Sequence, residues 1–341
     1  MNRLSRIYLT DTTLRDGSHT VSHQFTLEDA AQIAGGLEKA GIDIIEIGHG
    51  DGLIGSTINY GFGKHDDFSL VSAAASQLTK SKLAVLLLPG IGTVEALQKA
   101  QKAGAKAVRI ATHVTEADMG EEHVKAAKDM GLFVVGFLMM SHMADVNRLT
   151  EEALKLESYG ADVVYVTDSG GAMLPKDVYE KVGSLKKNLK IPIGHHAHNN
   201  LGLAVSNSLT AIEAGATYID GCLSGLGAGA GNTSTESLIA VLNKMGYEHG
   251  GDLYKAMDAS EKILIPSLKK KGLTINSHLD AMIMGYAGVY SSFLLHARRA
   301  GERFGVDVRD ILMEAGRRKA VGGQEDWLIE IAVELSNKQS Q

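Results

Sequence analysis

Short apolar runs alternate with amphipathic stretches along the first 250 residues, and this alternation restricts the possible folds more than any other feature of the chain. We count eight strand-helix units, and the apolar runs are continuous, as expected when helices cover both faces of a parallel sheet. Eight such units predict an α/β fold built as a closed (β/α)8 barrel, the TIM barrel. A doubly wound open sheet is the alternative, although no GxGxxG motif opens the first crossover.

The predicted elements are joined by short connections, except for a glycine-rich stretch at 49–64 that we interpret as a lid or binding loop. The predicted strands are 6–10, 43–48, 83–88, 107–110, 132–138, 163–166, 191–194 and 218–220. The predicted helices are 26–40, 67–78, 93–103, 116–130, 150–159, 175–189, 201–214 and 234–245. In a barrel the carboxyl ends of the strands converge on one face, so polar residues there are candidates for catalysis.

The pattern changes after residue 250, where helices are predicted at 253–264, 282–299 and 308–318 without any strand between them. We therefore divide the chain into a TIM-barrel catalytic domain at 1–250 and an all-helical C-terminal domain at 251–341. The helical domain is expected to cover the barrel mouth, to make an oligomer interface, or to do both.

Charge and cysteine content exclude several classes of protein. The formal net charge is −6 and no basic cluster is present, so nucleic acid is not an expected partner. Cys222 is the only cysteine, which excludes an intrachain disulfide and a cysteine-rich zinc site. Neither a signal-peptide pattern nor an apolar run of membrane-spanning length occurs, so we expect a cytoplasmic protein that does not enter a membrane.

A histidine pair after the seventh predicted strand and an acidic residue after the first predict a metal site. His196 and His198 are two residues apart, which puts both imidazoles on one face of an extended backbone. His195 faces the other side and is expected to pack in the core or to support the ligands without binding the ion itself. With the carboxylate of Asp16, His196 and His198 form a three-ligand set that leaves open positions on a divalent ion. Mn²⁺ or Mg²⁺ suits this mixed set, with Zn²⁺, Co²⁺ or Fe²⁺ as alternatives.

Other polar residues at the predicted strand ends are candidates for substrate chemistry. Arg15 is a cation that could hold a carboxylate or stabilise an oxyanion, or it could pair with Glu46 in the second strand, and both can hold. His19 is a candidate general acid or base, with an ordinary loop histidine as the alternative. Asp168 and Ser169 follow the sixth strand.

Two further features bear on the type of chemistry. The glycine-rich run Gly225–Asn232 follows the eighth strand, and its backbone amides could cradle an anion or simply form a tight turn. A Schiff-base mechanism needs a lysine inside the barrel mouth. It is disfavoured because Lys106, Lys176 and Lys190 are predicted at strand starts or on helices.

Six motifs, spread from the N-terminus to the C-terminal region, carry a resemblance to a known family. They are DTTLRDGSH at 11–19, DGLIGS at 51–56, NYGFG at 59–63, HAHNN at 196–200, GLGAGAGNT at 225–233 and AGVYSSF at 287–293. With these motifs the chain resembles the metal-dependent TIM-barrel lyases and synthases related to hydroxymethylglutaryl-CoA lyase. Within that group it is most similar to the 4-hydroxy-2-oxovalerate aldolases of aromatic meta-cleavage pathways, over almost its whole length.

The resemblance implies a role for each candidate residue. The metal ligands correspond to Asp16, His196 and His198. Arg15 corresponds to the cation that stabilises the enolate, and His19 corresponds to the acid/base at the C4 hydroxyl. Tyr290 corresponds to a tyrosine near that hydroxyl. The substrate-binding set corresponds to Arg15, Ser169, His196 and Tyr290. Helical spacing alone would have indicated a core residue at Tyr290.

The implied activity is that of a divalent-metal-dependent (class II) pyruvate aldolase, with Mn²⁺ as the preferred ion, which cleaves 4-hydroxy-2-oxopentanoate to pyruvate and acetaldehyde. The resemblance also implies a partner, an acylating acetaldehyde dehydrogenase that takes the aldehyde directly, and we expect the chain to form an oligomer. The alternative function is that of an acyl-CoA lyase or Claisen-type synthase with the same metal-enolate chemistry. A non-catalytic scaffolding barrel is disfavoured because a full set of metal and acid/base residues is present.

Overall fold

The computed structural model describes residues 6–273, 284–285 and 287–339. Its centre is a closed barrel of eight parallel strands, in which each strand pairs with the next along the chain and β1 pairs with β8. The strands are β1 (Tyr8–Leu14), β2 (Ile44–Ile47), β3 (Lys82–Leu87), β4 (Ala107–His113), β5 (Phe133–Met139), β6 (Val163–Asp168), β7 (Ile193–Ala197) and β8 (Tyr218–Gly221). The TIM-barrel prediction is therefore confirmed.

One helix follows each strand and forms the outer layer of the barrel. These helices are α1 (Leu27–Lys39), α2 (Asp67–Ala75), α3 (Val94–Ala103), α4 (Glu121–Asp129), α5 (Val146–Tyr159), α6 (Pro175–Asn188), α7 (Ala204–Glu213) and α8 (Thr235–Met245). Short polar side chains at Thr26, Asp66, Thr93 and Ser234 accept hydrogen bonds from the first-turn amides. These caps fix where the helices begin and therefore how each connecting loop leaves the barrel mouth.

The C-terminal region is helical, as predicted, but it packs as two groups. The helices α9 (Leu253–Ala259) and α10 (Ile265–Lys270) and the π-helical turn between them contribute Ala256, Leu268 and Leu264, respectively, to the apolar core of the barrel. The helices α11 (Phe293–Phe304), α12 (Val308–Arg317) and α13 (Asp326–Gln339) enclose a separate apolar core. The division of the chain at residue 250 stays a prediction.

Some element boundaries differ from the predicted ones because buried polar residues extend the strands. β1 continues to Leu14 instead of ending at residue 10, since Asp11, Thr12 and Thr13 are all buried with hydrogen-bond partners. β7 likewise reaches Ala197. A pattern search for apolar runs ends such strands too early.

Helix boundaries also shift. α5 begins at Val146, four residues before the predicted start, because Asp145 provides the cap. The helix predicted at 116–130 is divided into a 3-10 turn at Ala117–Gly120 and α4. The helix predicted at 282–299 corresponds to α11, and its predicted first residue, Met282, lies outside the described residues.

A search of the described residues finds no helix with the length and apolar character needed to cross a lipid bilayer.

Candidate active site

A cavity at the carboxyl ends of the strands brings together every residue that was predicted to bind metal or substrate. Apolar side chains of Leu86, Leu88, Phe137 and Met139 form one part of its wall. The predicted residues that line it are Arg15, Asp16, His19, Ser169, His196, His198 and Tyr290. They lie at or just after the carboxyl ends of β1, β6 and β7 and in the segment before α11, so the closed barrel is what makes them neighbours.

Asp16, His196 and His198 converge on one point. The Oδ2 atom of Asp16 lies 3.9 Å from Nε2 of His196 and 3.7 Å from Nε2 of His198, and all three side chains are buried. One ligand atom from each lies within 4.8 Å of the others, which makes the group a possible metal site. A carboxylate and two imidazoles at this spacing fit a divalent ion with positions left for substrate.

The tautomer of His196 suits this role. Its Nδ1 atom donates a hydrogen bond to Oδ2 of Asp220 at 2.7 Å, because a carboxylate can only accept. This leaves Nε2, which faces Asp16, as the ring nitrogen that could bind an ion. Burial lowers the pKa of His198 to about 4, so this second ring is neutral at pH 7, as a metal ligand must be.

The carboxylate of Asp16 is held from both sides. Its Oδ1 atom accepts hydrogen bonds from the Ala228 amide at 3.1 Å and from Nδ2 of Asn232 at 3.0 Å, while Oδ2 accepts one from Arg15 at 2.7 Å. Burial acts to raise the pKa of Asp16, but the adjacent guanidinium of Arg15 is the main opposing cause, and the pKa stays well below its usual value. The run Gly225–Asn232 was predicted to form either a turn or an anion-binding loop. It is a turn whose donors bind an anionic group of the protein itself, the carboxylate of Asp16.

Arg15 pairs with Glu46, as one of the predicted alternatives has it, and it also lines the cavity, while its role toward a substrate anion stays a prediction. Its Nε atom donates to Oε2 of Glu46 at 2.8 Å, and Nη1 donates to Asp16. Its Nη2 atom is buried and has no hydrogen-bond partner among the described residues. The pairing fixes the guanidinium plane, and the remaining donor is available to an anionic oxygen of a substrate.

Two residues of the site, Arg109 and Asp220, were not predicted from the sequence. Arg109 donates from Nη1 to Oε2 of Glu46 at 3.1 Å and from Nη2 to Oδ2 of Asp220 at 2.6 Å. Its guanidinium carbon lies 4.2 Å from the ring centre of Phe137 and 4.6 Å from that of Tyr165. A charged residue inside an otherwise apolar strand was the available signal, because it must have a buried partner.

His19 ends the 3-10 turn Asp16–His19 and lies against the glycine-rich loop. A Cβ atom at Gly50 would lie only 2.5 Å from Cε1 of His19, so the backbone of the loop approaches the ring closely. The ring of His23 lies 5.2 Å away, and the carboxylate of Asp51 is within 4.8 Å of both histidines. The loop therefore forms one wall around this candidate acid/base.

The group of His19, His23 and Asp51 does not fit a second metal ion. The Nε2 atom of His23 donates to the carbonyl of Tyr60 at 3.1 Å, and its Nδ1 atom accepts from the Gly50 amide at 3.3 Å. Both ring nitrogens of His23 are therefore used, and burial lowers its pKa to about 2. Its function is to hold the loop in place beside His19.

Tyr290 is fixed by the segment that carries it. His142 donates to the Gly288 carbonyl at 3.0 Å, and Ser291 donates to the Ser169 carbonyl at 3.0 Å. The side chain of Ser169 accepts a hydrogen bond from the Met140 amide at 3.0 Å and lines the cavity. These contacts join the C-terminal region to the barrel mouth and deliver Tyr290 to the site.

Two other predicted features take no direct part. Asp168 accepts hydrogen bonds from the amides of Ala172 and Met173, so it shapes the loop after β6 instead of lining the cavity. None of the described residues that line the cavity is a lysine, and a Schiff-base mechanism would need one there.

Comparison with known protein families covers most of the chain. The model of the HMGL-like family matches residues 6–263. A second model, described as the DmpG-like communication domain, matches residues 276–337.

The chain is also similar to individual curated proteins. It is 57% identical over 336 residues to a 4-hydroxy-2-oxovalerate aldolase of Carboxydothermus hydrogenoformans, covering 98% of this chain and 99% of the relative. It is 57% identical over 340 residues to a protein of the same description from Pelotomaculum thermopropionicum, covering 100% of this chain and 99% of the relative. Both comparisons span the barrel and the C-terminal helices together.

Among solved structures, the carboxyl transferase domain of Rhizobium etli pyruvate carboxylase with 3-hydroxypyruvate superposes with a TM-score of 0.83 at 18% identity. The match covers 99% of this chain and 61% of that one. At this identity the likeness concerns the fold alone.

Proposed function

Because the chain belongs to the HMGL-like family and, within it, to the 4-hydroxy-2-oxovalerate aldolases, we propose that it cleaves 4-hydroxy-2-oxopentanoate to pyruvate and acetaldehyde. One observation carries the proposal: Arg15, whose buried Nη2 has no hydrogen-bond partner among the described residues, lines the same cavity as the converging side chains of Asp16, His196 and His198. A cation and a three-ligand site beside each other are what a reaction through a pyruvate enolate requires.

The donor set of Asp16, His196 and His198 supports a divalent ion, and we propose Mn²⁺, with Mg²⁺, Co²⁺ or Zn²⁺ as alternatives. When bound, such an ion would draw electron density from the 2-oxo group and stabilise the enolate by several kcal/mol. The mixture of one carboxylate and two imidazoles favours Mn²⁺ over Ca²⁺, which prefers oxygen ligands only.

The side chains around this site have separate tasks. Arg15 donates from Nη2 to the oxygen that becomes negative at C2, and its pairs with Glu46 and Asp16 keep it in place as charge develops. The hydroxyl of Ser169 lies in the cavity wall and contributes a hydrogen bond to the substrate. Both residues act on the pyruvate half of the molecule.

The C4 half of the substrate faces a different set of groups. His19 takes the proton of the C4 hydroxyl, so that the carbonyl of acetaldehyde forms as the C3–C4 bond breaks. Tyr290 contacts the same hydroxyl and orients it toward the base. Leu86 and Leu88 in the cavity wall accommodate the apolar methyl group.

The C-terminal region matches the DmpG-like communication domain, and this match supports a protein partner for the chain. We propose an acylating acetaldehyde dehydrogenase, which would consume the reactive aldehyde as it leaves the cavity, within an oligomeric assembly. Mixing the two purified proteins and measuring their sedimentation tests this partner directly. Independent sedimentation at micromolar concentrations would contradict it.

The alternative function, that of an acyl-CoA lyase or Claisen-type synthase, is not favoured by the comparisons. The test is to measure pyruvate release from 4-hydroxy-2-oxopentanoate, without coenzyme A, by protein treated with a chelator and then supplied with single divalent ions. We expect no release after chelation and recovery with Mn²⁺. Release that chelation does not change would contradict the metal-dependent mechanism, and release only from acyl-CoA substrates would contradict the substrate.

A further inference from the structure

Arg109 connects the two halves of the site without touching the cavity. It lies in β4, its side chain is 1% exposed, and it does not line the cavity that holds the candidate catalytic residues. Its guanidinium nevertheless reaches one partner of Arg15 and one partner of His196. A residue in this position can affect the reaction only through the groups that it holds.

The two carboxylates beside Arg109 are shared in the same way. The Oε2 atom of Glu46 accepts from Arg15 at 2.8 Å and from Arg109 at 3.1 Å. The Oδ2 atom of Asp220 accepts from Arg109 at 2.6 Å and from Nδ1 of His196 at 2.7 Å. In each case a single oxygen bonds to Arg109 and to an active-site residue, so the position of that oxygen depends on both.

The surroundings of Arg109 restrict its movement. Its guanidinium lies over the rings of Phe137 and Tyr165, at 4.2 and 4.6 Å from their centres. A planar guanidinium group that binds two carboxylates and lies over two aromatic rings has little rotational freedom. A lysine in the same place would present a single point charge and could not hold both carboxylates in this geometry.

We propose that Arg109 is a positioning residue, which sets the guanidinium of Arg15 and the imidazole of His196 at a fixed separation. This inference rests on the proposed function, in which one of these groups stabilises the enolate and the other binds the metal ion. Glu46 transmits the constraint to Arg15, and Asp220 transmits it to His196.

The charges of the cluster explain why an arginine occupies this position. Three buried carboxylates, those of Asp16, Glu46 and Asp220, face two buried guanidinium groups, those of Arg15 and Arg109. The carboxylates of this set outnumber the guanidinium groups by one, and the excess negative charge attracts a cation to the ligand side. Removing the charge of Arg109 would take one of the two cations from a cluster of three buried carboxylates and endanger folding, so Arg109→Lys is the suitable variant.

The experiment separates the two connections. Mn²⁺ binding to the full chain without substrate, measured by electron paramagnetic resonance, reports on His196. Exchange of the pyruvate methyl protons with solvent at saturating Mn²⁺, followed by NMR, reports on Arg15. A role in folding alone would lower stability without changing either quantity in the folded protein.

We expect a distinct pattern from three variants. Asp220→Asn raises the Mn²⁺ dissociation constant by about 10- to 100-fold and slows exchange at saturating Mn²⁺ by a clearly smaller factor. Glu46→Gln slows exchange by about tenfold or more and leaves Mn²⁺ binding nearly unchanged. Arg109→Lys weakens Mn²⁺ binding and slows exchange together.

Arg148→Lys is the matched control, because Arg148 also pairs with a fully buried carboxylate, that of Glu152, at 2.7 Å. This pair lies in the helical layer, on α5, and not in the cavity wall. We expect it to lower stability and to leave Mn²⁺ binding and exchange within about twofold of the parent values.

Folded Arg109→Lys protein with both quantities within twofold of the parent would overturn the proposal. If Arg109→Lys does not fold, the other two variants decide: separate effects support the proposal, and equal effects on both readouts overturn it. If the parent releases no pyruvate and exchanges no methyl protons, the proposed function fails. The Mn²⁺ measurements would then still decide the connection between Arg109 and His196.

Discussion

The hydroxyl of Tyr290 donates a hydrogen bond to the sulfur atom of Met139, with 2.8 Å between oxygen and sulfur. A thioether is a weak acceptor, so the hydroxyl can exchange this contact for a substrate oxygen at small cost. Burial raises the pKa of Tyr290, and the group therefore remains a donor at neutral pH. The resting contact keeps the tyrosine directed toward the cavity.

Replacing Tyr290 by phenylalanine should slow cleavage of 4-hydroxy-2-oxopentanoate by about tenfold, the equivalent of one neutral hydrogen bond. Methyl-proton exchange of pyruvate should stay within about twofold, because pyruvate lacks the C4 hydroxyl. Both rates are measured on the same Mn²⁺-loaded sample. An equal loss in the two reactions would place Tyr290 at the enolate instead.

Asp16→Asn should weaken Mn²⁺ binding by about 100-fold or more, which corresponds to about 3 kcal/mol, and turnover should fall with it. An amide keeps the shape of the side chain but supplies no charge to the ion and a poor acceptor to Arg15. Calorimetric titration with Mn²⁺ measures the change. Unaltered Mn²⁺ affinity would show that the ion binds elsewhere.

His19→Ala should slow carbon-carbon cleavage by about 10²- to 10⁴-fold, the usual contribution of a general base, while Mn²⁺ binding is unchanged. Proton exchange at the methyl group of pyruvate should be affected less. The ratio of the two rates is the informative quantity. If both fall by the same factor, His19 does not act at the C4 hydroxyl.

Arg15→Ala should nearly abolish both cleavage and methyl-proton exchange, because both pass through the same enolate. The substitution also removes a partner from buried Glu46, so folding must be verified by thermal unfolding before rates are compared. Exchange that persists at the parent rate in the folded variant would exclude Arg15 from the enolate site.

His195 gives the fold a predictable response to acid. Burial lowers its pKa to about 4, below its ordinary value, and its Nδ1 atom donates to the Val166 carbonyl at 3.0 Å. Between about pH 6.5 and pH 4 the unfolded chain binds a proton at this position and the folded chain does not. Stability contributed by the neutral ring is therefore complete at pH 7 and is lost as the pH falls.

His195→Asn keeps a donor near the Nδ1 position and cannot titrate. Denaturant unfolding at pH 7 and pH 5 should show that the variant loses about 2 kcal/mol less stability than the parent over this interval. Other buried histidines cause the remaining loss in both proteins. Parallel losses in variant and parent would mean that His195 titrates normally in the folded state.

The alternation of apolar runs and helices was sufficient to predict the barrel, since every strand is covered on both faces. That the side chains of His196 and His198 lie together could also be predicted, because a two-residue spacing has a direct geometric meaning on a strand. Tyr290 could be identified as a site residue only through the family resemblance. It belongs to a segment whose position depends on hydrogen bonds of His142 and Ser291, which no local pattern encodes.

Arg109 and Asp220 were missed for a physical reason. Each is a single charged residue within a short apolar strand. A prediction that relies on the spacing of apolar residues assigns the strand correctly but gives no role to the charged residue. Their partners lie 63 and 24 positions away in the chain, at Glu46 and His196, so only the closed sheet shows that the charges are balanced. Inward-facing charges in barrel strands deserve a search for such partners.

The carboxylate of Asp16 is held by Ala228 and Asn232, which lie 212 and 216 positions later in the chain. During synthesis the first barrel strand leaves the ribosome long before these residues exist. A nascent chain that ends before the last strand therefore lacks the groups that orient this carboxylate. The candidate metal site should be assembled only when the ring of strands closes.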